Sequence, residues 1–350
     1  MTTKLPAGSG TVSLRDVAAR AGVSIKTVSN VVNGYAHVAP TTRARVQSVL
    51  DELNYRPNLA ARTLRSARTG LIALAVPELD FPYFAELARH VVQAAESRGW
   101  TVLIDQTDGQ LDRERQVMDG IRAHLIDGVI FSPLAAGRSD LAARGDRTPM
   151  VLLGERVYDG PFDHVAIDNV AAAQMAVEHL IALGRRRIGA IGEQDRPTSG
   201  TARLRARGYM RGLTAAGLPV DPGVVMSTES YHRADGARAM TELLALDRPV
   251  DAVFCFNDLL ALGAIRVLHE RGVRVPQDVA VVGFDDIEDG SYSTPSLTTV
   301  RPDKQRIARL AVDLLAGRLD GSDTARPREL SAPFELAVRE STTGAVHRVA

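Results

Sequence analysis

The sequence predicts an α/β chain in two parts: a small all-α head built on a helix-turn-helix and followed by a hinge helix, then a large doubly wound α/β body. Three observations predict it. Between Leu14 and Leu53 the apolar residues recur at helical spacing, with a glycine break after Ala21. From Gly70 onward, short runs of Val, Ile, Leu and Ala alternate with amphipathic stretches long enough for helices. Charge is segregated too: residues 1–69 hold ten Lys/Arg against three acids, whereas the whole chain balances 42 basic with 42 acidic residues, so the other 281 carry a surplus of seven negative charges.

In the head, Leu14, Val17, Ala18 and Ala21 share one helical face, and Gly22-Val23 ends that helix. Ser24 is placed to cap a second helix running to about Val32. Two short helices joined by a glycine turn are helix-turn-helix grammar, and the second helix of such a pair enters a DNA major groove. Ala18 and Val28 are small enough for the helices to cross closely, while Ile25, Lys26, Thr27, Ser29 and Asn30 supply side chains that reach a base edge or a phosphate. A third helix, Thr41 to Leu53, places Val46, Val49, Leu50 and Leu53 on the face that closes the core. A basic module on an acidic body is the electrostatic footprint of DNA binding. Taken alone, AARAGVS also fits an ordinary helix-glycine-helix turn.

Arg56-Pro57 interrupts the third helix, and NLAARTL (58–64) can then cap on Asn58 and turn helical. It is too short to be a stable helix in water by itself. A flexible basic linker is the plain alternative for this stretch.

In the body, the expected strands are LIALAVP (71–77), TVLIDQ (101–106), GVIFSP (128–133), MVLLGE (150–155), HVAID (164–168), RIGAIG (187–192), AVFCFN (252–257) and VAVVGFD (279–285). Their near-continuous apolar content indicates strands covered on both faces, hence parallel sheet. Expected helices between them include Tyr83–Arg98, Asn169–Leu183, Leu204–Ala216 and Leu259–Arg271. The strand count exceeds one doubly wound unit, and the break falls near Asp168-Asn169. No G-x-G-x-x-G fingerprint or P-loop lysine motif occurs, so no nucleotide cofactor is indicated. Asp285 and Asn257 end strands, where open α/β sheets bind ligands, although Asn257-Asp258 also reads as a helix cap and Asp285-Asp286 as a turn.

The segments AARAGVS, VVNG, LNYRPN and AARTLRS follow one another in the order found in one family. From about Val12 to Ser341 the chain resembles the lactose-repressor (LacI/GalR) family of bacterial transcriptional regulators. The resemblance implies a tail at 1–11, a helix-turn-helix domain at 12–57, a hinge at 58–69, an effector-binding and dimerisation body at 70–343 and a tail at 344–350. It implies a periplasmic-binding-protein-like body, with an N-subdomain of about 70–167 plus 296–328 and a C-subdomain of about 168–295 plus 329–343. It further implies that Arg205, Asn257 and Asp285 hold ligand oxygens, that Tyr231 faces one side of the ligand, and that Phe81 and Phe84 form the opposite wall, with Asp168 a cleft neighbour. A carboxylate, an amide and a guanidinium suit hydroxyls, and aromatic faces suit the CH surface of a sugar, though a purine site uses the same vocabulary. Phe84 and Tyr231 also read as satellite core residues.

On DNA, the resemblance implies base reading by Ile25, Lys26 and Asn30, and backbone contacts from Ser24, Thr27, Ser29, Asn33 and His37, with Leu14 beside them. It implies that the hinge orders only on DNA, pairs with its dimer mate and inserts Leu64 into the minor groove. Ala61 would allow close hinge packing, while Arg62 and Arg65 reach groove or phosphate. The expected function is a repressor that binds a pseudo-palindromic operator in double-stranded DNA as a homodimer and is released by a small sugar-type effector. The alternative is the same regulator with a purine, nucleoside or phosphorylated metabolite as corepressor. The end of the chain, AVHRVA, is too short for a heptad tail, so no coiled-coil tetramer is expected.

Other classes fit poorly. A solute-binding protein would share the body but needs export and no DNA head; the N-terminus lacks a signal-peptide core, and no apolar run reaches the roughly 18 residues of a membrane span. A cytoplasmic, nucleoid-associated protein is expected. For an enzyme there is no nucleophile elbow and no H-E-x-x-H, and His90, His124, His164, His179 and His269 are scattered, so no catalytic or metal site is expected. The single cysteine, Cys255 in AVFCF, reads as a buried core thiol, and Arg185-Arg186-Arg187 as cations closing a helix C-terminus.

Overall fold

The computed structural model describes residues 12–32, 35, 37–55, 68–120, 125–155, 157–195 and 200–344, in one unit ending at Thr69 and another beginning at Gly70. The head contains α1 (Leu14–Ala21), α2 (Ile25–Val32) and α3 (Pro40–Glu52). Helix α1 starts at Ser13 because a reciprocal box forms: the Ser13 N–H donates to Asp16 Oδ2 at 2.8 Å and the Asp16 N–H to Ser13 Oγ at 3.4 Å. The Ser13 hydroxyl, which also donates to Asp16 Oδ2 at 2.7 Å, and then the Ser13 N–H hold the Asp16 carboxyl below the usual range. Gly22, at φ 64°, ends α1 in the left-handed conformation. Ser24 Oγ then accepts the Thr27 N–H at 3.1 Å and starts α2.

Val17, Ala18, Ala21, Val28, Val31, Val46, Val49 and Leu50 make the core of the head, with Leu14 and Leu53 packed against it. One expectation fails locally. Helix α3 closes at Glu52, where Leu53 caps it and Asn54 adopts φ 46°, so the chain turns before Arg56-Pro57 and the proline is not what stops the helix. The hinge run 58–64, with Asn58, Ala61, Arg62 and Leu64, lies outside the described residues, as do Arg65 and Asn33.

The body runs β1 (Leu71–Val76), α4 (Pro82–Glu96), β2 (Thr101–Gln106), α5 (Leu111–Met118), β3 (Gly128–Phe131), α6 (Arg138–Ala142), β4 (Met150–Leu153) and β5 (Asp163–Ala166). It continues with α7 (Asn169–Ala182), β6 (Ile188–Glu193), α8 (Gly200–Ala215), β7 (Val225–Ser227), α9 (Arg233–Leu244), β8 (Ala252–Cys255), α10 (Asp258–Glu270) and β9 (Ala280–Phe284). Last come α11 (Glu288–Tyr292), β10 (Thr298–Pro302), α12 (Lys304–Asp320), β11 (Glu329–Ser331), β12 (Phe334–Ala337) and α13 (Glu340–Thr343). Two six-stranded sheets result, ordered β11-β5-β4-β3-β1-β2 and β12-β10-β9-β8-β6-β7. Every pairing is parallel except β10 with β12.

All eight expected strand runs form strands, and four further strands (β7, β10, β11, β12) complete the sheets. Two of these, β10 and β11, move the subdomain boundaries. Strand β10 joins the second sheet beside β9, and β11 joins the first beside β5. The later crossovers therefore lie near Asp303 and Ala332 rather than at 296 and 329. The reason is physical: TTVRP and ELS are short and half polar, so their partners are set by packing and not by composition. Strand β2 also departs from the two-face-covered expectation, since it is a sheet edge with Thr101, Ile104 and Gln106 exposed.

Helix α12 packs on α4 and beneath β3, β4 and β5, which fixes it to the first subdomain. Helices α9 and α10 touch through Gly236 and Gly263, where an added Cβ would lie 2.1 Å from Leu260 O and 2.0 Å from Arg233 O. Cys255 is buried, and burial pushes its thiol pKa up. Arg186 donates to Ile181 O, a C-terminal carbonyl of α7, at 2.9 Å; Arg185 donates to Asp251 O at 3.1 Å and Arg187 to Asp221 Oδ2 at 2.7 Å. This basic run closes a helix and ties loops. Among the described residues no helix is long and apolar enough to cross a membrane.

Candidate functional site

A cavity of about 380 Å³ opens between the two sheets of the body, at the carboxyl ends of their strands. From the first sheet come Glu78, Phe81 and Phe84 after β1, Asp108 after β2, Ser132 after β3 and Glu155 after β4. From the second come Thr201 and Arg205 on α8, Tyr231 after β7 and Asp285 after β9.

Asp285 and Arg205 dominate its polar side. The Arg205 guanidinium lies 3.5 Å over the Phe284 ring, donates from Nε to Asn169 Oδ1 at 2.8 Å and from Nη1 to Phe256 O, and leaves Nη2 3.6 Å from Asp285 Oδ1. That last distance is an ion pair and too long for a hydrogen bond, so both groups keep capacity for a ligand. Burial pushes the Asp285 carboxyl up to about 6, although Arg205 and Lys304 pull it down. Its backbone is unusual: φ is 116° at Asp285 and 49° at Asp286. Beneath the turn, Asp258 is fully buried and accepts from Thr299 Oγ1 at 2.5 Å and from Ile287 N at 2.9 Å. Burial, reinforced by the Asp285 charge, drives the Asp258 pKa well above the usual carboxylate range.

The apolar walls are aromatic. Phe81 and Phe84 lie 6.2 Å apart, and the His232 ring meets Phe81 edge-on at 5.2 Å. The Tyr231 hydroxyl donates to Gly192 O at 2.9 Å, which spends its polar end on backbone and leaves an aromatic ring in the cavity lining. Contacts across the cleft include Thr201 Oγ1 donating to Glu155 Oε2 at 2.9 Å and His232 Nε2 lying 3.2 Å from Glu78 Oε2.

In the head, Val28 and Val31 turn inward, while Ser24, Ile25 and Lys26 are exposed and Thr27, Ser29 and Asn30 are half-buried. The Ser24 and Thr27 hydroxyls lie 2.9 Å apart within the α2 cap. His37 is exposed in the turn before α3. The outer face of α2 is thus a polar strip with one apolar contact, Ile25, of the kind that meets base edges.

The match to known families agrees with this division of labour. Residues 13–58 match the model of bacterial regulatory proteins of the lacI family, and residues 177–342 that of a periplasmic binding protein-like domain. The HTH-type transcriptional regulator DegA of Bacillus subtilis (strain 168) is 32% identical over 337 residues, 95% of this chain and 98% of its own. The chain belongs to the LacI family. Among solved structures, a CelR–cellobiose complex is 34% identical with a TM-score of 0.69, covering 94% of this chain and 99% of that one. The Lac repressor dimer bound to operator and the anti-inducer ONPF is 28% identical with a TM-score of 0.82, over 95% of this chain and 99% of that one. As a LacI-family member the chain is a DNA-binding transcriptional regulator and not an enzyme.

Of the seven body residues expected at a LacI-type effector site, Phe81, Phe84, Arg205, Tyr231 and Asp285 line the cavity, whereas Asn257 and Asp168 do not. Asn257 caps α10: its Oδ1 accepts the Leu260 N–H at 2.9 Å and its amide donates to Tyr231 O at 3.0 Å. It therefore positions Tyr231 from behind. Asp168 caps α7 by accepting the Ala171 N–H at 2.9 Å. Sequence reasoning missed Glu155, Thr201 and Ser132. The strand-end rule that found Asp285 applied equally to Glu155, the last residue of MVLLGE, and to Ser132 in GVIFSP.

Proposed function

We propose that the chain is a repressor that binds a pseudo-palindromic operator as a homodimer and is released by a small sugar-type effector in the cleft. One observation carries the effector half: a buried guanidinium and a buried carboxylate, held 3.6 Å apart and so not hydrogen-bonded to each other, stand opposite the aromatic wall of Phe81 and Phe84. Neighbouring sugar hydroxyls both donate and accept, so one can meet Asp285 while the next meets Arg205, and the CH face packs on the rings. Among the described lining residues, Glu78, Asp108, Glu155, Glu229 and Asp285 oppose Arg205 alone, a charge balance unfavourable to a phosphorylated effector.

The operator half rests on the outer face of α2 and on the surplus positive charge of residues 1–69. Ile25, Lys26 and Asn30 would read bases; Ser24, Thr27, Ser29, Asn33 and His37 would set register; Leu64 would act as the minor-groove wedge. Two-fold symmetry matches a dimer to two half-sites, as in the Lac repressor dimer on its operator. Such a protein works in the cytoplasm, associated with the nucleoid. The test has two stages: retention of genomic DNA fragments to define the operator, then thermal shift against neutral mono- and disaccharides, sugar phosphates and nucleosides. An effector at about 100 times its Kd adds roughly 2.7 kcal/mol. A neutral sugar that both stabilises the protein and frees the operator supports the reading; stabilisation only by phosphates or nucleosides refutes the sugar assignment.

A further inference from the structure

Lys304 is the first residue of α12, where the helix dipole is positive, and it is only 9% exposed. A buried ammonium in that place is unfavourable unless every N–H is met. Its three donors meet three acceptors: Glu86 Oε2 at 2.5 Å, Asp285 O at 2.7 Å and Asp286 O at 2.8 Å. Glu86, on α4, uses its other oxygen to accept the N–H of Glu288 at 3.0 Å. Glu288 opens α11, so this donor has no partner within its own helix.

The placement of these four partners is the informative part. Helices α4 and α12 belong to the first subdomain, while Asp285, Asp286 and Glu288 follow β9 of the second. Two of the three Lys304 bonds and one of the two Glu86 bonds therefore cross between subdomains, and they end on the turn that carries the ligand-facing Asp285. Nothing within the first subdomain requires a buried ion pair here: the start of α12 is already capped by Asp303, which accepts the Arg306 N–H at 2.8 Å.

We propose that Glu86 and Lys304 form a latch between the subdomains, holding the Asp285 turn against α4 and α12 and setting how open the effector cleft stands. They act as positioning residues, gripping the backbone behind Asp285 while its side chain meets the ligand. A ligand that moved this turn would have to displace the latch, which couples occupancy to subdomain rotation. The inference rests on the effector-cleft reading above, but its test uses no effector.

The full chain is spin-labelled through Glu96→Cys and Glu242→Cys, exposed positions on α4 and α9, with the native Cys255 buried. Pulsed electron-spin distance measurements on this background, with the labelled chain diluted into an excess of unlabelled chain so that distances within one protomer are read, are expected to give one dominant distance. Adding Lys304→Met should raise the fraction of a second distance at least about tenfold. Adding Glu86→Gln instead, which keeps an acceptor for Glu288 but removes the charge, should raise it less. A Lys304→Met protein that is folded by circular dichroism and shows the unaltered distribution overturns the latch, even if its Tm falls, because a merely structural pair would lower stability without moving the distance. Should Lys304→Met not fold, an unaltered distribution in Glu86→Gln overturns it equally. A failed effector screen leaves these outcomes untouched, and the reverse holds.

Discussion

Asp285→Asn should make the protein more stable at neutral pH while disarming its cleft. The ordinary value of this carboxyl is 3.8 and burial raises it to about 6, a net shift that already contains the pull of Arg205 and Lys304. About two units correspond to about 3 kcal/mol. Because the folded pKa is the higher one, the folded state holds the proton more tightly, and stability is lost as pH rises from about 3.8 to about 6. At pH 7.5 both states are ionised and the whole cost is present; an uncharged, equally shaped amide removes it. At pH 4.5 the folded carboxyl is largely protonated, so the gap between variant and native protein should shrink to about 1 kcal/mol. Unfolding entropy of about 2.1 cal/mol/K per residue over the 281-residue body turns about 3 kcal/mol into about 5 °C of Tm. Thermal and urea melts of both proteins at pH 7.5 and 4.5 test this. An Asn variant that is no more stable at pH 7.5, or a gap that does not change with pH, refutes the claim that burial of this charge is what costs stability.

Three further outcomes are expected. Arg205→Lys should abolish the thermal shift caused by whichever sugar stabilises the native protein, since an ammonium cannot hold Asn169, Phe256 and the Phe284 ring while still facing the ligand; operator retention should persist, and a preserved shift would remove Arg205 from the site. Gly263→Ala should destabilise the body by about 1–3 kcal/mol, because its Cβ would lie 2.0 Å from Arg233 O and force α9 and α10 apart; an unchanged urea midpoint would show that the helices yield without cost. Ser13→Ala removes one half of the α1 capping box and should cost the head about 1 kcal/mol, read as faster amide exchange in α1. Exchange rates equal to those of the native head would show the cap to be idle.

What was legible in the sequence follows from what each element depends on. The head was readable because its helices are specified locally: Ser24 caps, Gly22 turns, and Leu14, Val17, Ala18 and Ala21 keep helical spacing. The eight central strands were readable because a strand buried on both faces must be apolar throughout. Strands β10 and β11 were not, since Thr299 faces a buried carboxylate and Glu329 bonds His164, interactions that no local pattern announces. The site divides the same way. Asp285 was found because it ends a strand. Asn257 also ends a strand, but its side chain is committed to the α10 cap, and cap and ligand roles share one residue type at one position. Lys304 and Glu86 were invisible because a lysine opening a helix and a glutamate within one ordinarily face water.

The floor of the cleft collects what stability alone would reject: a carboxyl raised to about 6, a second carboxyl raised well above its ordinary range by its own burial, and an ammonium at the positive end of a helix. Asp285 and Asp286 both occupy positive φ, at 116° and 49°, where glycine would be easier. The turn persists because other elements fix it. Val300 O accepts the Asp285 N–H at 2.9 Å, Lys304 takes both carbonyls, and Arg301 and Arg339 hold the Asp286 carboxylate at 2.5 and 2.6 Å. Its backbone is thereby set before any ligand arrives, so a hydroxyl meeting Asp285 need not order the acceptor it binds. On the proposed reading, the same over-determination is what lets the site signal: a group held from two subdomains at once cannot shift toward a ligand without shifting one subdomain against the other.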